Sequence, residues 1–292
     1  MKSSALPLAA LEVGLIVAWS SGFIGARLAA DAGTVFLVLF WRFVIVSLVL
    51  LPLLIRAARR GLTAKSLILQ SMLGIFAMFG YLALGIKAID LGVPAGTAAL
   101  ISALQPVATA ALAGSILHER VSRLQWTGLI LGLAGVSLAV GGSLGEAPLL
   151  AYILSAASTL SLVVATIAAK AMPDSTPLLP SLAIQSLVAA VLFAPLALLE
   201  GGMAPVLDLR FIAAVAWFIL FSTIGGYGLY WLCLRRSSAT RVGSLIYLTP
   251  PVTMIWGWLM FSETITIAAV IGFFICMTGV FLTRPTTSVR RA

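Results

Sequence analysis

PAGTAALISALQPVATAALAGSILHER, residues 94–120, is an apolar stretch with Ser102, Gln105 and Pro106 at its middle and His118-Glu119-Arg120 at its end. The same outline returns 144 positions later over residues 238–264, where Leu104 falls on Leu248, Pro106 on Pro250, Thr109 on Thr253 and Glu119 on Glu263. The register continues, with Gly128 meeting Gly272, Gly135 meeting Gly279 and Val136 meeting Val280. Weak internal symmetry of this kind is what transporter repeats leave in a sequence. It divides the chain into two copies of one unit, residues 1–141 and 142–292, which form one membrane domain because the connection at 141–148 is too short to separate them.

The composition agrees with a membrane setting. Hydrophobic residues make up 61% of the 292 and charged residues only 9%, which is far from the balance of a soluble domain. Apolar spans fall near 8–29, 33–55, 66–87, 93–117, 123–141, 148–171, 178–199, 209–233, 241–261 and 266–283. These ten helices at about 20 residues each leave only short loops, too little for a catalytic domain outside the lipid bilayer. The first run is long, contains Trp19 and lacks a strong basic flank, so it reads as a retained helix and not a signal peptide. The net charge of +9 sits at helix ends, where topology explains it without nucleic acid.

Orientation follows from those basic residues. With the amino terminus cytoplasmic, fourteen of the 18 Lys and Arg fall on the cytoplasmic side and three outside, with Arg42 left within the second span. Both termini are then cytoplasmic. Five helices per unit is an odd number, so the second unit crosses in the opposite sense, and the expected fold is an all-α polytopic protein of two inverted five-helix repeats. Such folds place a substrate at the midplane between the repeats.

Catalytic signatures are missing. There is no GxxxxGK[ST] loop, HExxH or GxSxG, the one histidine is His118, and Cys233 and Cys276 lie apart in apolar spans, so neither cofactor nor metal is expected and the chain does not read as an enzyme. Gly128, Gly132 and Gly135 fall inside one apolar helix, which assigns them to close helix packing and not to a dinucleotide loop.

Polar groups within spans are costly and therefore informative. Arg42, in FWRF, either snorkels or bonds carbonyls of the first helix, or it holds an anionic substrate group. Glu12 lies near the cytoplasmic end of its span, and the lack of mid-membrane carboxylates points to a passive or weakly coupled carrier in which Glu12 could still titrate. Glu119 and Glu263, at the turns, accept hydrogen bonds from helix N-termini or pair with Arg123. At mid-depth, Ser102 and Gln105 share a face with Thr109, and Ser244, Tyr247 and Thr249 lie at the equivalent level. Pro106 and Pro250 bend those two helices and free carbonyls. Trp19, Tyr81, Tyr227 and Tyr247 lie deep enough that their polar atoms need a cavity or a partner. A cavity of such groups, lined by helices 1, 3, 4, 6, 8 and 9 with Thr159 on the sixth, suits an amphipathic organic solute and suits a bare ion poorly.

WSSGFIGAR (19–27), FWRF (40–43), the proline-bearing fourth and ninth spans and the HER and SET turns after them together resemble the EamA repeats of the drug/metabolite transporter superfamily, over nearly the whole chain. Ten helices with cytoplasmic termini are similar to that family too. The pattern looks most like bacterial exporters of amino acids, the YddG-type aromatic amino acid exporters among them. The resemblance implies export by alternating access across the inner membrane, and the expected assembly is a monomer or homodimer. Members handle amino acids, purine-type compounds, cations and sugar phosphates, so the solute stays open. The second repeat departs from the pattern, offering STLSLVVAT where the first has Trp19-Ser20. The alternative of another class, a non-transporting membrane protein such as an intramembrane enzyme, would need a titratable cluster that the sequence lacks.

Overall fold

The computed structural model describes residues 7–31, 35–140, 147–172, 174–262 and 265–284. Glu263 and the loop 141–146 lie outside the described residues. The chain forms helical rods: α1 (Leu8–Asp31), α2 (Val35–Arg59), α3 (Ala64–Asp90), α4 (in two pieces, Ala95–Ser102 and Gln105–Ile116) and α5 (Arg123–Val140). The second half repeats them as α6 (Leu149–Ala171), α7 (Leu178–Leu199), α8 (Leu209–Arg236), α9 (Ala239–Phe261) and α10 (Ile267–Leu282). Among the described residues eight rods are long and apolar enough to cross a membrane. The 16 residues of α10 rise only about 24 Å, short of a hydrocarbon core of roughly 30 Å.

The sequence repeat reappears as geometry. α3 widens into a π-helical turn over Gly74–Gly80 and α8 does so over Phe218–Tyr227, so the two wide turns start 144 residues apart. His118 and Ser262, also 144 apart, both turn left-handed (φ 55° and 54°) where α4 and α9 end. The rods pair as α1 with α8, α2 with α7, α3 with α6, α4 with α9 and α5 with α10, a scheme left unchanged when the halves are exchanged.

The prolines do more than bend their helices. α4 stops at Ser102 and restarts at Gln105, and α9 tightens over Ile246–Leu248 before restarting at Thr249. Pro106 and Pro250 sit at the second residue of the new pieces, where no amide donor is needed, whereas a continuous helix would have put their rings against carbonyls one turn back. At the expected kinks α4 is therefore broken and α9 is tightened into a 3-10 turn. The two helices meet at Gly243, where a Cβ would sit in ordinary contact with Pro106 and Thr109 at 3.5 Å.

α5 and α10 approach backbone to backbone. A Cβ on Gly128 would come 2.5 Å from the Gly279 carbonyl, and one on Gly272 would come 2.5 Å from that of Gly135. Helices in lipid gain nothing by merely burying apolar surface against each other, so such close approach is what holds them.

Charged contacts gather at the end that carries Lys65, Lys170, Arg235 and Arg241, called the basic end below. Arg241 is 4% exposed and grips Glu12 through two bonds of 2.9 Å, while its Nη1 donates to the Val280 carbonyl. Glu119 accepts from the Ala239 amide (2.9 Å), the Thr240 amide and the Thr240 hydroxyl (3.0 Å). It thus caps α9 with its carboxylate at the positive end of the helix dipole. At the opposite end Glu200 accepts from the Leu37 amide (3.0 Å) and caps α2.

In the turn between α6 and α7, Asp174 accepts from Ser66 (2.8 Å), Gln70 (2.6 Å) and the amide and hydroxyl of Thr176. Burial alone would push its pKa up, but these donors outweigh burial and hold it below the usual carboxylate value. With the folded pKa lowered, the stabilisation is complete above the unfolded value of about 3.9 and is lost as pH falls through the folded value. Asp174→Asn is therefore expected to melt below wild type at pH 7, with the gap closing below about pH 4 as the wild-type carboxyl protonates. A gap that persists unchanged to pH 2.5 would contradict this.

Candidate transport site

Four aromatic rings from both halves converge at mid-depth. Trp19 of α1 is 5.0 Å from Tyr230, 5.2 Å from Tyr227 edge-on and 6.3 Å from Tyr81, centroid to centroid. Tyr227 and Tyr230 are three residues apart, which places both on one face of α8. The wide turns make the rest possible, because a π-helical turn releases carbonyls from the usual ladder. The Ala77 carbonyl in the wide turn of α3 accepts the Tyr227 hydroxyl (2.7 Å), and that of Phe76 accepts Ser161 of α6 (2.7 Å). The Tyr81 carbonyl takes Ser158 (2.5 Å). Tyr230 shares a 2.5 Å hydrogen bond with Thr166 of α6, and the Gln105 amide approaches its hydroxyl at 3.5 Å, just after the break in α4.

Trp19, Tyr81, Tyr227 and Gln105 are thus gathered by the fold. Three others are not part of these contacts. Tyr247 is buried against the α5–α10 seam, where its ring fills the space that a Cβ of Gly132 would need, and its hydroxyl has no partner. Thr159 turns its hydroxyl to the Ser155 carbonyl of its own helix (3.3 Å), and Ser102 is half-buried at the last turn before the break.

Arg42 is fully buried. It neither snorkels nor bonds first-helix carbonyls: its Nε donates to Thr223 (2.7 Å) and its Nη2 to Ser222 (3.2 Å), both in the wide turn of α8. The guanidinium lies over Phe43 and Phe218 at 4.6 and 4.8 Å, and over Tyr227 at 5.9 Å. Nη1 has no partner.

Two features lie outside the expected site residues. Tyr230, visible in the sequence as one of the aromatics of the eighth span, completes the aromatic cluster and is bonded to Thr166, and its three-residue spacing from Tyr227 was the available signal. Towards the basic end, Trp231 donates to Gln185 (2.9 Å), which donates to Gln70 (2.6 Å), which in turn donates to Asp174 (2.6 Å). Two glutamines inside apolar spans were visible as costly groups. Nothing in the sequence indicated that they meet. Among the described residues no group of His, Cys, Asp and Glu is placed to hold a metal ion.

The cluster brings four rings together with hydroxyls, one amide and a nearby guanidinium, and none of these side chains forms a nucleophile with an acid–base partner. A model of the EamA-like transporter family matches residues 8–141 and 149–284. A probable amino-acid metabolite efflux pump of Escherichia coli (strain K12) is 26% identical over 283 residues, covering 93% of each chain. A probable terminal-alkyne amino-acid exporter of Streptantibioticus cattleyicolor is 28% identical over 285 residues, 94% of this chain and 93% of that one. An uncharacterized inner membrane transporter of Escherichia coli (strain K12) is 24% identical over 263 residues, covering 89% of this chain and 85% of its own. One solved crystal structure shares the fold, with a TM-score of 0.79 over 95% of this chain and 96% of that one at 20% identity. With both halves taken in by the family model, the chain belongs to the EamA-like transporter family and is a membrane transporter, not an enzyme.

Proposed function

We propose that this protein exports small amphipathic metabolites, foremost aromatic or hydrophobic amino acids in the manner of the YddG type, across a bacterial inner membrane. In this proposal ten spans with both termini cytoplasmic form two inverted repeats, 1–141 and 142–292, which alternate access to a site at their interface. The observation that carries it is the aromatic cluster of Trp19, Tyr81, Tyr227 and Tyr230, drawn from helices of both halves. The relatives named for efflux of amino-acid metabolites and of an alkyne amino acid support the cargo class.

Trp19, Tyr81 and Tyr227 contact the apolar group, joined by Tyr247 when the α4–α9 crossing moves. Ser102, Gln105 and Thr159 orient polar atoms, and Arg42 supports the wide turn of α8. Pro106 and Pro250 supply the breaks about which α4 and α9 pivot, and Glu119 and Glu263 hold the turns beyond them. Bonds that cross between halves, such as Tyr227 to Ala77 and Gln105 to Tyr230, are those a substrate exchanges for its own.

Purified protein in liposomes is expected to accelerate counterflow of labelled phenylalanine, tryptophan and leucine, with little response to an imposed proton gradient. Movement of nucleotide sugars, purines or quaternary amines without these amino acids would reject the proposal. Trp19→Ala removes the ring that three others touch, so phenylalanine flux should fall about tenfold or more while Trp19→Phe keeps most of it.

A further inference from the structure

A cavity of about 270 Å³ opens at the basic end between α3, α6, α7 and α8. Its lining holds charges of both signs, Lys170, Arg235 and Asp174, beside Leu69, Leu73 and Trp231. Opposite charges lining so small a space would ordinarily pair, but these do not: among the described residues neither cation has a carboxylate within ion-pair distance.

Each charge is held instead by neutral groups and keeps spare capacity. Lys170 gives two of its three donors to the carbonyls of Leu234 (2.9 Å) and Ser237 (2.6 Å). Arg235 gives one bond to the Thr176 carbonyl (2.8 Å), out of five N–H groups. Asp174 Oδ2 accepts from Gln70 alone, while Oδ1 takes the other three donors.

We infer that this cavity is a loading site for an amino-acid zwitterion, its carboxylate taken by Lys170 and Arg235, its ammonium by Asp174 and its side chain by Leu69, Leu73 and Trp231. A lone anion meets Asp174, a lone cation meets Lys170 and Arg235, and only a solute bearing both charges gains from both signs in the lining. The volume lies just below the roughly 300 Å³ at which sites for drug-sized ligands begin, and it suits a single amino acid. Trp231 also leads onward: its ring is 5.2 Å from Tyr230, which is 5.0 Å from Trp19, so adjoining rings run from the cavity to the aromatic cluster. The inference rests on the export proposal only for the cargo's onward route, since binding at the cavity can be read without flux.

The test uses the full chain and labelled L-phenylalanine, with L-phenylalaninamide and N-acetyl-L-phenylalanine as competitors that each lack one charge. In vesicles of defined orientation, Arg235→Gln and Asp174→Asn should raise the apparent KM about tenfold when substrate is offered at the basic end and leave it within about twofold at the opposite face. Lys65→Gln, at the same end but outside the cavity, should behave as wild type. Equal shifts at both faces, or none in Arg235→Gln, would overturn the loading site while leaving export intact. If wild type shows no phenylalanine flux, equilibrium binding to the solubilised protein decides. Zwitterion binding that both competitors fail to displace and that Arg235→Gln weakens supports the site although the export proposal fails, and no zwitterion binding overturns the site.

Discussion

Gly135→Val is expected to keep the two halves from closing on each other. A Cβ at Gly135 would lie 2.8 Å from the Cys276 amide nitrogen, the Cys276 sulfur and the Gly272 carbonyl. Two of these atoms belong to the backbone of α10 and cannot swing aside, so the whole helix must move. That breaks the reciprocal approach of Gly128 to Gly279 further along the same seam. Overpacking a core costs about 1–3 kcal/mol where side chains can adjust, and this position lies at or above the top of that range. The expected outcome is loss of the monodisperse, detergent-solubilised species, or a large fall in its melting temperature. Gly114→Ala is the control, because a Cβ there meets only the Glu119 carbonyl at 3.7 Å. Equal behaviour of the two variants would show that the seam does not depend on backbone contact.

Arg241→Met is expected to have the second large effect, for an electrostatic reason. The Arg241 and Glu12 side chains are 5% and 13% exposed, so solvent cannot take over when one is removed. Truncating one partner of a buried pair leaves the other charge stranded and costs about 3–5 kcal/mol. The variant also loses the Nη1 bonds to Val280 and Thr283, and with them the tie between α9 and the end of α10. Glu12→Gln combined with Arg241→Met removes both charges and should recover much of the loss. The expected order of melting temperatures is wild type, then the double variant, then Arg241→Met. Single and double variants that melt alike would show that the pair is already solvated.

The repeat was legible in the sequence because backbone-directing residues keep their spacing. Prolines at 106 and 250 and glycines at 128, 135, 272 and 279 impose local geometry wherever they stand, and the structure places a helix restart or a close approach at each. Trp19, Tyr81 and Tyr227 were legible as a group because a deep polar-tipped ring in lipid must find a partner. Glu119 was legible as a cap from its position at the turn.

Azimuth was not legible. Successive residues rotate about 100° around a helix, so depth along a span does not say which way a side chain faces. In a soluble helix the polar face would settle it, but lipid and protein interior are equally apolar and erase that signal. Tyr247 thus shares the depth of Gln105 yet turns into the α5–α10 seam, and Thr159 bonds within its own helix. Sequence alone determined a membrane protein of two related halves and the heights of its costly groups, because composition, prolines and glycines act locally. Only the tertiary structure decided that Tyr230, bonded to Thr166, joins Trp19, that Arg42 ends on hydroxyls, and that Lys170, Arg235 and Asp174 share one cavity, because each depends on how helices far apart in sequence rotate to meet.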